Sequence, residues 1–245
     1  MDFDDFYALQ TGTAPLLGER DIQLSVVELG VLRVPSGMLS ASDPFVDLDQ
    51  GVVIPIPPGD YPVRVTIADV SEEQDGSHLR EAYLTVVLSD APSVSLEAAI
   101  GLNGPPATND YYGVAVDAGT VGFVDSVAVA TSMPADGGTW YEEVFDSERA
   151  DAWFTVMDAE SPLPSGLANV VMPLATAGEN VVLSHSGWGD GWYPLLATHD
   201  AAGNLTGIHI DLFVVGSVPE DPEEPEDLEE PEQPRGFFAR LFGRK

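Results

Sequence analysis

Short stretches with apolar side chains at every second position recur along most of the chain, and this pattern limits the fold more than any other feature. In DIQLSVVELGVLRV (21–34), for example, Ile22, Leu24 and Val26 would lie on one face of an extended strand. Turn-forming sequences such as PPGD (57–60) separate one stretch from the next. Short strands at this spacing predict an all-β, mainly antiparallel fold, either a sandwich or a partly open barrel.

Helix is predicted at only two places, VSLEAAIGL (94–102) and TWYEEVFDSERADA (139–152), so we expect one or two short helices beside the sheets. The predicted strands are 21–34, 52–56, 61–70, 78–90, 111–117, 120–131, 152–158, 168–174, 179–185, 192–199 and 205–215. Together these elements predict a single β-rich domain over residues 1–218.

The chain is strongly acidic, with 41 Asp and Glu residues against 9 Lys and Arg residues and a formal net charge of -32. A body with this charge repels nucleic acid phosphates, so we expect no nucleic acid partner. Two explanations of the acidity remain open. The carboxylates either form a solvated surface that keeps the protein soluble, or they bind a cationic ligand such as Ca²⁺ or a basic partner.

Cysteine is absent, which excludes disulfides, a Cys-type zinc site and a thiol nucleophile. The first residues, MDFDDFYALQTGTAPLL, are acidic where a signal peptide needs positive charge. No stretch approaches 18 consecutive apolar residues, so no membrane span is predicted. We therefore expect a cytoplasmic protein.

Residues 219–234, PEDPEEPEDLEEPEQP, are acidic and rich in proline. Proline removes backbone donors and the like charges repel one another, so this segment is predicted to be a disordered linker. The charge is -27 over residues 1–218 (32 acidic, 5 basic), -9 over the linker and +4 over residues 235–245. The sequence thus predicts an acidic domain, a charged tether and a cationic end.

The last eleven residues, RGFFARLFGRK (235–245), predict a short amphipathic helix. Its apolar stripe and basic flanks comprise Phe237, Phe238, Arg240, Leu241, Phe242, Arg244 and Lys245. Burial of the four apolar side chains contributes roughly 6–12 kcal/mol, and ordering the peptide costs on the order of 10 kcal/mol, so docking would be reversible. The peptide docks on an anionic membrane surface or a partner protein, docks on its own acidic domain, or has no role. The membrane alternative would place the protein at the inner surface of the membrane.

A β-hairpin is predicted around Asp200-Ala201-Ala202-Gly203-Asn204, which has the composition of a type I turn followed by a bulge. This turn would pair Thr198 with Thr206. On the return strand, His209 and Asp211 are two residues apart, so their side chains point to the same face. They form either a metal or proton-relay site or the outer face of a half-buried strand.

Before this hairpin, SGWGDGW (186–192) alternates glycines with Trp188, Asp190 and Trp192. Such a segment predicts a tight loop at a close approach of backbone to backbone or to ligand. One interpretation is a buried Asp190 carboxylate that accepts backbone N–H bonds and fixes the loop. The other is a ligand-facing loop in which Trp188 or Trp192 provides a stacking surface.

No catalytic motif is complete. Ser186 lacks the flanking glycines of a nucleophile elbow, and DAGT (117–120) has no second copy, as an aspartic protease would require. Aspartates recur beside glycine, proline or turn residues or within strands, at Asp43, Asp60, Asp117, Asp125, Asp190 and Asp211. They either cap turns or, if several converge in one cleft, form a carboxylate-rich site for Ca²⁺, Mg²⁺ or a cationic substrate.

Several of these stretches resemble one known family. SGWGDGWYP (186–194) followed by HDAAGNLTGIHIDLF (199–213) looks like the carboxy-terminal signature of the bacterial domain of unknown function 4241 family. VPSGMLSASDPF (34–45), PPGDYPV (57–63) and YYGVAVDAGTVGFVD (111–125) resemble its earlier motifs in the expected order. The chain departs from the pattern at Val121 and Leu212. The resemblance implies a shared fold. It leaves the function open, because no activity is established for the family.

Two functional hypotheses follow, and enzymatic activity stays open. The first is a non-enzymatic binding module for an unknown ligand, without a cofactor, whose C-terminal peptide docks reversibly on a membrane surface or partner. The second is a metal-assisted hydrolase, with Ca²⁺ or Mg²⁺, that uses a carboxylate and histidine cluster. The candidate ligand-binding residues are Asp117, Asp125, Trp188, Asp190, Trp192, His209 and Asp211, and the hydrolase would use the five that are not tryptophan.

Overall fold

The structure is a computed structural model that describes residues 3–108, 110–160 and 162–217, and antiparallel strands dominate it. The predicted linker (219–234) and C-terminal peptide (235–245) lie outside the described residues. The strands are β1 (Gly12–Leu16), β2 (Arg20–Val34), β3 (Met38–Ser42), β4 (Val52–Pro55), β5 (Gly59–Asp69), β6 (Leu79–Val87), β7 (Ser95–Ala98), β8 (Gly113–Val116), β9 (Thr120–Asp125), β10 (Leu167–Val171), β11 (Asn180–His185), β12 (Gly191–His199) and β13 (Leu205–Asp211).

The strands form two sheets that pack face to face. The larger sheet has the order β1-β2-β5-β6-β13-β12-β7, with β8 also paired to β12, and it curls into a half-barrel. The smaller sheet has the order β10-β11-β9-β3-β4. Every strand pair in the described residues is antiparallel. This architecture confirms the predicted all-β class and lies between the two alternatives, sandwich and partly open barrel.

The short helices are not where the sequence predicted them. Helix α1 (Ser126–Ser132) follows β9 without a break, because the Asp125 carboxylate accepts the N–H groups of Val127 and Ala128 and caps the first turn. The prediction of one strand over 120–131 was therefore wrong in its second half.

Two further predictions of local structure were wrong, for reasons of tertiary packing. The predicted strand 152–158 is helix α2 (Trp153–Asp158), whose Trp153 and Met157 lie one turn apart on the buried face. The predicted helix 94–102 contains β7, because its residues pair with β12. In the predicted helix 139–152, only a 3-10 turn that ends at Thr139 and a π-type turn (Tyr141–Phe145) form.

Two apolar cores hold these layers together. The first lies between the sheets and contains side chains such as Leu39 and Phe123 from the smaller sheet and Leu84 and Ile210 from the larger. The second covers the other face of the smaller sheet, where α1, α2 and the π-type turn pack on β10 and β11. Trp153, one of the largest fully buried side chains, belongs to this second core. The result is a three-layer arrangement of the curled larger sheet, the smaller sheet and the short helices.

The hairpin between β12 and β13 has the predicted turn but not the predicted register. Gly203, with φ of 82°, donates its N–H to the Asp200 carbonyl, and Asp200 donates to the Asn204 carbonyl. Thr206 on β13 is then the extra residue of a bulge, since His199 pairs with Leu205, and Thr198 pairs with Gly207 and not with Thr206. The sequence shows that a bulge follows the turn but not on which strand it falls.

None of the helices in the described part of the chain combines the length and apolar character needed to cross a bilayer.

Candidate functional site

A groove with a volume of about 610 Å³ opens where one end of the larger sheet meets the smaller sheet and α2. Its walls come from β2, β5 and β6, the turn between β8 and β9, α2, and the loop after β11. The lining residues are Ser25, Val27, Ile67, Leu79, Arg80, Glu81, Ala118, Gly119, Thr120, Phe154, Met157, Asp158, Pro164, Ser165, His185, Ser186, Gly187, Trp188 and Gly189. Apolar side chains line much of the groove, and the charged or titratable ones lie on β6, at the end of β11 and at the end of α2.

A β-bulge in β6 turns Glu81 into this groove. In the β5–β6 ladder Thr66 pairs with Tyr83 and Ile67 pairs with Glu81, which leaves Ala82 as the extra residue. Tyr83 packs against Phe6 on the outer face of the sheet. Glu81 would share that face in a regular strand, because side chains two residues apart point the same way. The bulge instead places Glu81 beside Ile67, on the face that lines the groove.

Glu81 is only 8% exposed, and its carboxyl group receives no hydrogen bond from another residue in the described ranges. Burial raises the pKa of Glu81 above its usual value. Its own backbone N–H and the positive charges of His185 and Arg80 oppose this increase in pKa. A buried carboxyl whose only hydrogen-bond donor in the described residues is its own backbone N–H is costly, because this single bond offsets little of the desolvation.

Arg80 and Trp188 stand together at the rim of the groove. The guanidinium carbon of Arg80 lies 5.5 Å from the centroid of the Trp188 ring, within the range of a cation–π contact. One guanidinium N–H of Arg80 donates to the Leu79 carbonyl, while its buried Nε has no partner among the described residues. Trp188 itself is 49% exposed, so part of its side chain remains accessible from solvent.

The loop that carries Trp188 is fixed by close backbone packing. Gly187 has φ of 69°, and a Cβ at this position would lie 2.8 Å from the Glu81 carbonyl oxygen and 2.8 Å from a methyl carbon of Val214. The Ser186 hydroxyl donates to the Gly189 carbonyl, and so does the Tyr193 hydroxyl. Glycine is therefore required at residue 187 by the approach of the loop to β6.

The opposite wall is held by the buried carboxylate of Asp43. One of its oxygens accepts the N–H groups of Asp117 and Ala118, at 3.0 and 2.7 Å. The other accepts the Thr120 hydroxyl at 2.7 Å and the Phe45 N–H at 3.2 Å. The Gly119 carbonyl of the same turn accepts the Ser186 N–H at 3.1 Å. Asp43 thus connects the turn between β8 and β9 to the loop that forms the rim of the groove.

Of the predicted site residues, only Trp188 lines the groove. Asp117 is exposed and contributes its backbone N–H to Asp43. Asp125 is buried at the other end of β9, where Ser36 and the first turn of α1 donate to its carboxylate. Trp192 is 47% exposed and packs against Gly113 on β8. The predicted turn-capping role is confirmed for Asp43 and Asp125.

The interpretation that Asp190 fixes its loop was wrong. Asp190 is exposed, and the hydrogen bonds that close the loop come from the Ser186 and Tyr193 hydroxyls. Gly187 and Gly189 have positive φ, which lets the chain turn tightly, and both hydroxyl groups donate to the Gly189 carbonyl.

His209 lies in a buried polar network on the outer face of the larger sheet. Its Nδ1 is 2.9 Å from the Thr85 hydroxyl and its Nε2 is 3.0 Å from the Thr198 hydroxyl, and the Phe6 ring covers it edge-on. Burial lowers the pKa of His209 to about 3, so the imidazole is neutral near pH 7. Both ring nitrogens are occupied within the protein, as expected of a structural histidine.

Asp211 shares this outer face, as its spacing from His209 predicted, but the two residues do not form a ligand site. The Asp211 carboxylate accepts the Phe213 N–H at 2.9 Å. Burial, together with the negative charge of Asp5, raises the pKa of Asp211 to about 7, against the opposing effect of that hydrogen bond. The N-terminal segment therefore covers a carboxyl group that holds its proton unusually well.

The structure does not bring the carboxylates of the hydrolase hypothesis together. Asp125 caps α1, Asp211 lies under the N-terminal segment, and Asp117 and Asp190 face solvent. In residues 3–108, 110–160 and 162–217, no group of three or more His, Asp or Glu side chains is arranged to hold a metal ion.

Three groove residues, Arg80, Glu81 and His185, were not predicted as site residues. Arg80 and Glu81 open the run LREAYLTVV (79–87), which reads as an ordinary strand with charges at its start. The only available signal was a glutamate directly before a run of buried residues. The bulge that directs it inward depends on pairing with β5, which no local pattern reveals.

The comparisons with known proteins agree with the resemblance noted in the sequence. A family model described as "Protein of unknown function (DUF4241)" matches residues 32–210, well over half of the chain. No curated protein and no solved structure matches the sequence.

The buried carboxyl of Asp211 predicts a specific dependence of stability on pH. Its pKa is about 7 in the folded protein and about 3.9 in an unfolded chain, so the folded state binds the extra proton between these values and loses stability as the pH rises through them. Asp211→Asn removes this loss and can still accept the Phe213 N–H. We compare the free energy of unfolding of this variant with that of the unsubstituted protein at each pH. We expect the difference, in favour of the variant, to be about 1–2 kcal/mol larger at pH 8 than at pH 5.5.

Urea denaturation at the two pH values measures this difference. Asp190→Asn, which removes an exposed carboxylate, is the matched control. An equal effect of Asp211→Asn at both pH values would contradict the prediction.

Proposed function

The chain belongs to the family described as "Protein of unknown function (DUF4241)", and we propose that it is a binding module whose ligand occupies the groove beside Glu81. The observation that carries this proposal is the buried carboxyl of Glu81, which faces the groove and receives no hydrogen bond from another residue in the described part of the chain. A chain that only needed stability would gain by replacing this carboxyl or pairing it, because an unpaired buried polar group is destabilising. A ligand that supplies the missing partner gives the carboxyl a role.

The construction of the groove supports the same proposal. Apolar side chains such as Ile67 and Met157 face a few polar groups across about 610 Å³, which is the usual make-up and size of a small-molecule site. The unpartnered Nε of Arg80 and the exposed ring of Trp188 lie at the rim. The rim thus offers a cationic and an aromatic side chain, whereas the interior offers apolar side chains and the Glu81 carboxyl. These different contacts can hold a ligand in one orientation.

We further propose that the C-terminal peptide (235–245) docks reversibly on an anionic membrane surface and brings the binding domain there. The support is the sequence of the peptide, an apolar stripe with a net charge of +4 at the end of a 16-residue acidic linker. The domain itself carries -27 and is repelled by such a surface. Attachment would therefore hold the domain away from the bilayer, at the length of the linker.

A fragment screen tests the groove. The ¹H–¹⁵N spectrum of the protein is recorded with a panel of small amines, acids, alcohols and aromatic compounds. We expect at least one chemical class to shift the amide signals of Glu81, Gly119 and Gly187 together, because these residues line one groove. Shifts that never include these amides, with any compound, would refute the groove as a binding site.

Co-sedimentation with vesicles tests the tail. We expect the full chain to sediment with vesicles that contain an anionic phospholipid, and much less with purely zwitterionic vesicles. A chain that ends at Val218, and a full chain with Phe238→Asp, should stay in the supernatant. Equal sedimentation of all three proteins would contradict membrane docking, and binding to a protein partner in place of vesicles would assign the peptide to that partner.

A further inference from the structure

We propose that the groove recognises a protonated amine, whose ammonium group pairs with Glu81 while its apolar chain lies along the walls of the groove. This inference rests on the proposed function and assigns the chemical class of the ligand. It applies equally to a free alkylamine and to a lysine side chain of another protein, which present the same ammonium group.

The buried carboxyl of Glu81 favours a charged donor as its ligand. Its carboxyl is 8% exposed, lines the groove, and has no hydrogen-bond donor from another residue in the described part of the chain. The best partner for a buried carboxylate is a charged donor, because an ion pair with hydrogen bonds recovers more of the desolvation cost than a neutral donor does. A ligand with an anionic group would instead bring two negative charges together at the floor of the groove.

The charged side chains around Glu81 leave its carboxyl without an ion pair. The other charged or titratable side chains that line the groove are Arg80, Asp158 and His185. The guanidinium of Arg80 is held over Trp188 at the rim and forms no ion pair with Glu81. His185 is exposed at the end of β11, and Asp158 adds a second negative charge at the end of α2. The groove thus contains two carboxyl groups, one of them buried, and two basic side chains, Arg80 and His185, neither of which forms an ion pair with Glu81.

The negative charge of the whole domain also favours a cationic ligand. Residues 1–218 carry a formal charge of -27, and such a field raises the local concentration of cations and lowers that of anions. Apolar side chains that include Val27, Ile67, Phe154 and Met157 line the groove around Glu81. A cation with an apolar chain therefore fits both the field and the walls, whereas a hydrated metal ion fits neither the apolar walls nor a site with one buried carboxyl.

The test compares ligands that differ only in their head group. Pentylammonium, pentanol and pentanoate share one apolar chain and are titrated into the full-length protein at pH 7.5, with ¹H–¹⁵N spectra as the readout. We expect pentylammonium to shift the amides of Glu81, Gly119 and Gly187 with a Kd at least tenfold lower than that of pentanol or pentanoate.

A second titration compares pentylammonium with a short peptide that has one central lysine and blocked ends. Tighter binding of the peptide assigns the site to a lysine of a protein partner, and tighter binding of the free amine assigns it to a small molecule.

Two variants separate the buried carboxyl from charge in general. Glu81→Gln keeps the size of the side chain and should abolish the preference for the amine, while Asp158→Asn, which removes one negative charge at the same groove, should retain most of it. The affinity of the unsubstituted protein for the amine should rise as the pH increases through the pKa of Glu81, because the bound carboxyl is ionised. His185→Gln should keep this dependence on pH and Glu81→Gln should lose it.

Equal or tighter binding of pentanol or pentanoate would overturn the assignment, as would a preference for the amine that survives in Glu81→Gln. If amines fail while fragments of another class shift the groove amides, the groove remains a binding site and only the ammonium assignment is lost. If no compound of any class shifts these amides, the proposed function fails as well.

Discussion

The buried carboxylate of Asp43 is the interaction on which the candidate site depends. It accepts four hydrogen bonds, from the backbone of Phe45, Asp117 and Ala118 and from the Thr120 hydroxyl. A carboxylate removed from water stays favourable only when its oxygens are fully hydrogen-bonded, and here they are. The turn held in this way presents the Gly119 carbonyl to Ser186, which begins the loop that forms the rim of the groove.

Asp43 and Glu81 show the same chemical group in two opposite situations. Asp43 is fully buried with four donors, and Glu81 is nearly as buried with none from another described residue. Asp125 repeats the first situation at the far end of β9, so the smaller sheet is bracketed by two satisfied carboxylates. Rigid loops around one unsatisfied carboxyl are what preorganised binding requires, because the protein does not rearrange to meet the ligand.

The sequence predicted the features that depend on local patterns. The alternation of apolar and polar side chains along β2 and the turn at Asp200 could be predicted, because both depend only on residues that are close in the sequence. The segment 126–132 alternates as a strand would, but Asp125 caps its first turn and its Ala128 and Val129 pack in the second core as part of a helix. Glu81 was not identified because its direction follows from the pairing of β5 with β6. Trp188 was found because tryptophan between glycines is unusual in itself, whereas the interpretation of Asp190 assumed a burial that the loop does not provide.

Amide hydrogen exchange in Asp43→Asn tests most directly whether this carboxylate holds the groove. The substitution replaces an acceptor by an amide that faces several donors, so we predict that the amides of Ala118 and Ser186 exchange at least tenfold faster, as expected for the loss of about 1.5–3 kcal/mol from a charged hydrogen bond. Amides in the β9–β11 ladder, such as that of Val182, should be little changed. The control Asp125→Asn should leave Ser186 unaffected. Faster exchange at Ala118 with an unchanged Ser186 would show that the rim of the groove stands without Asp43 and would contradict the account.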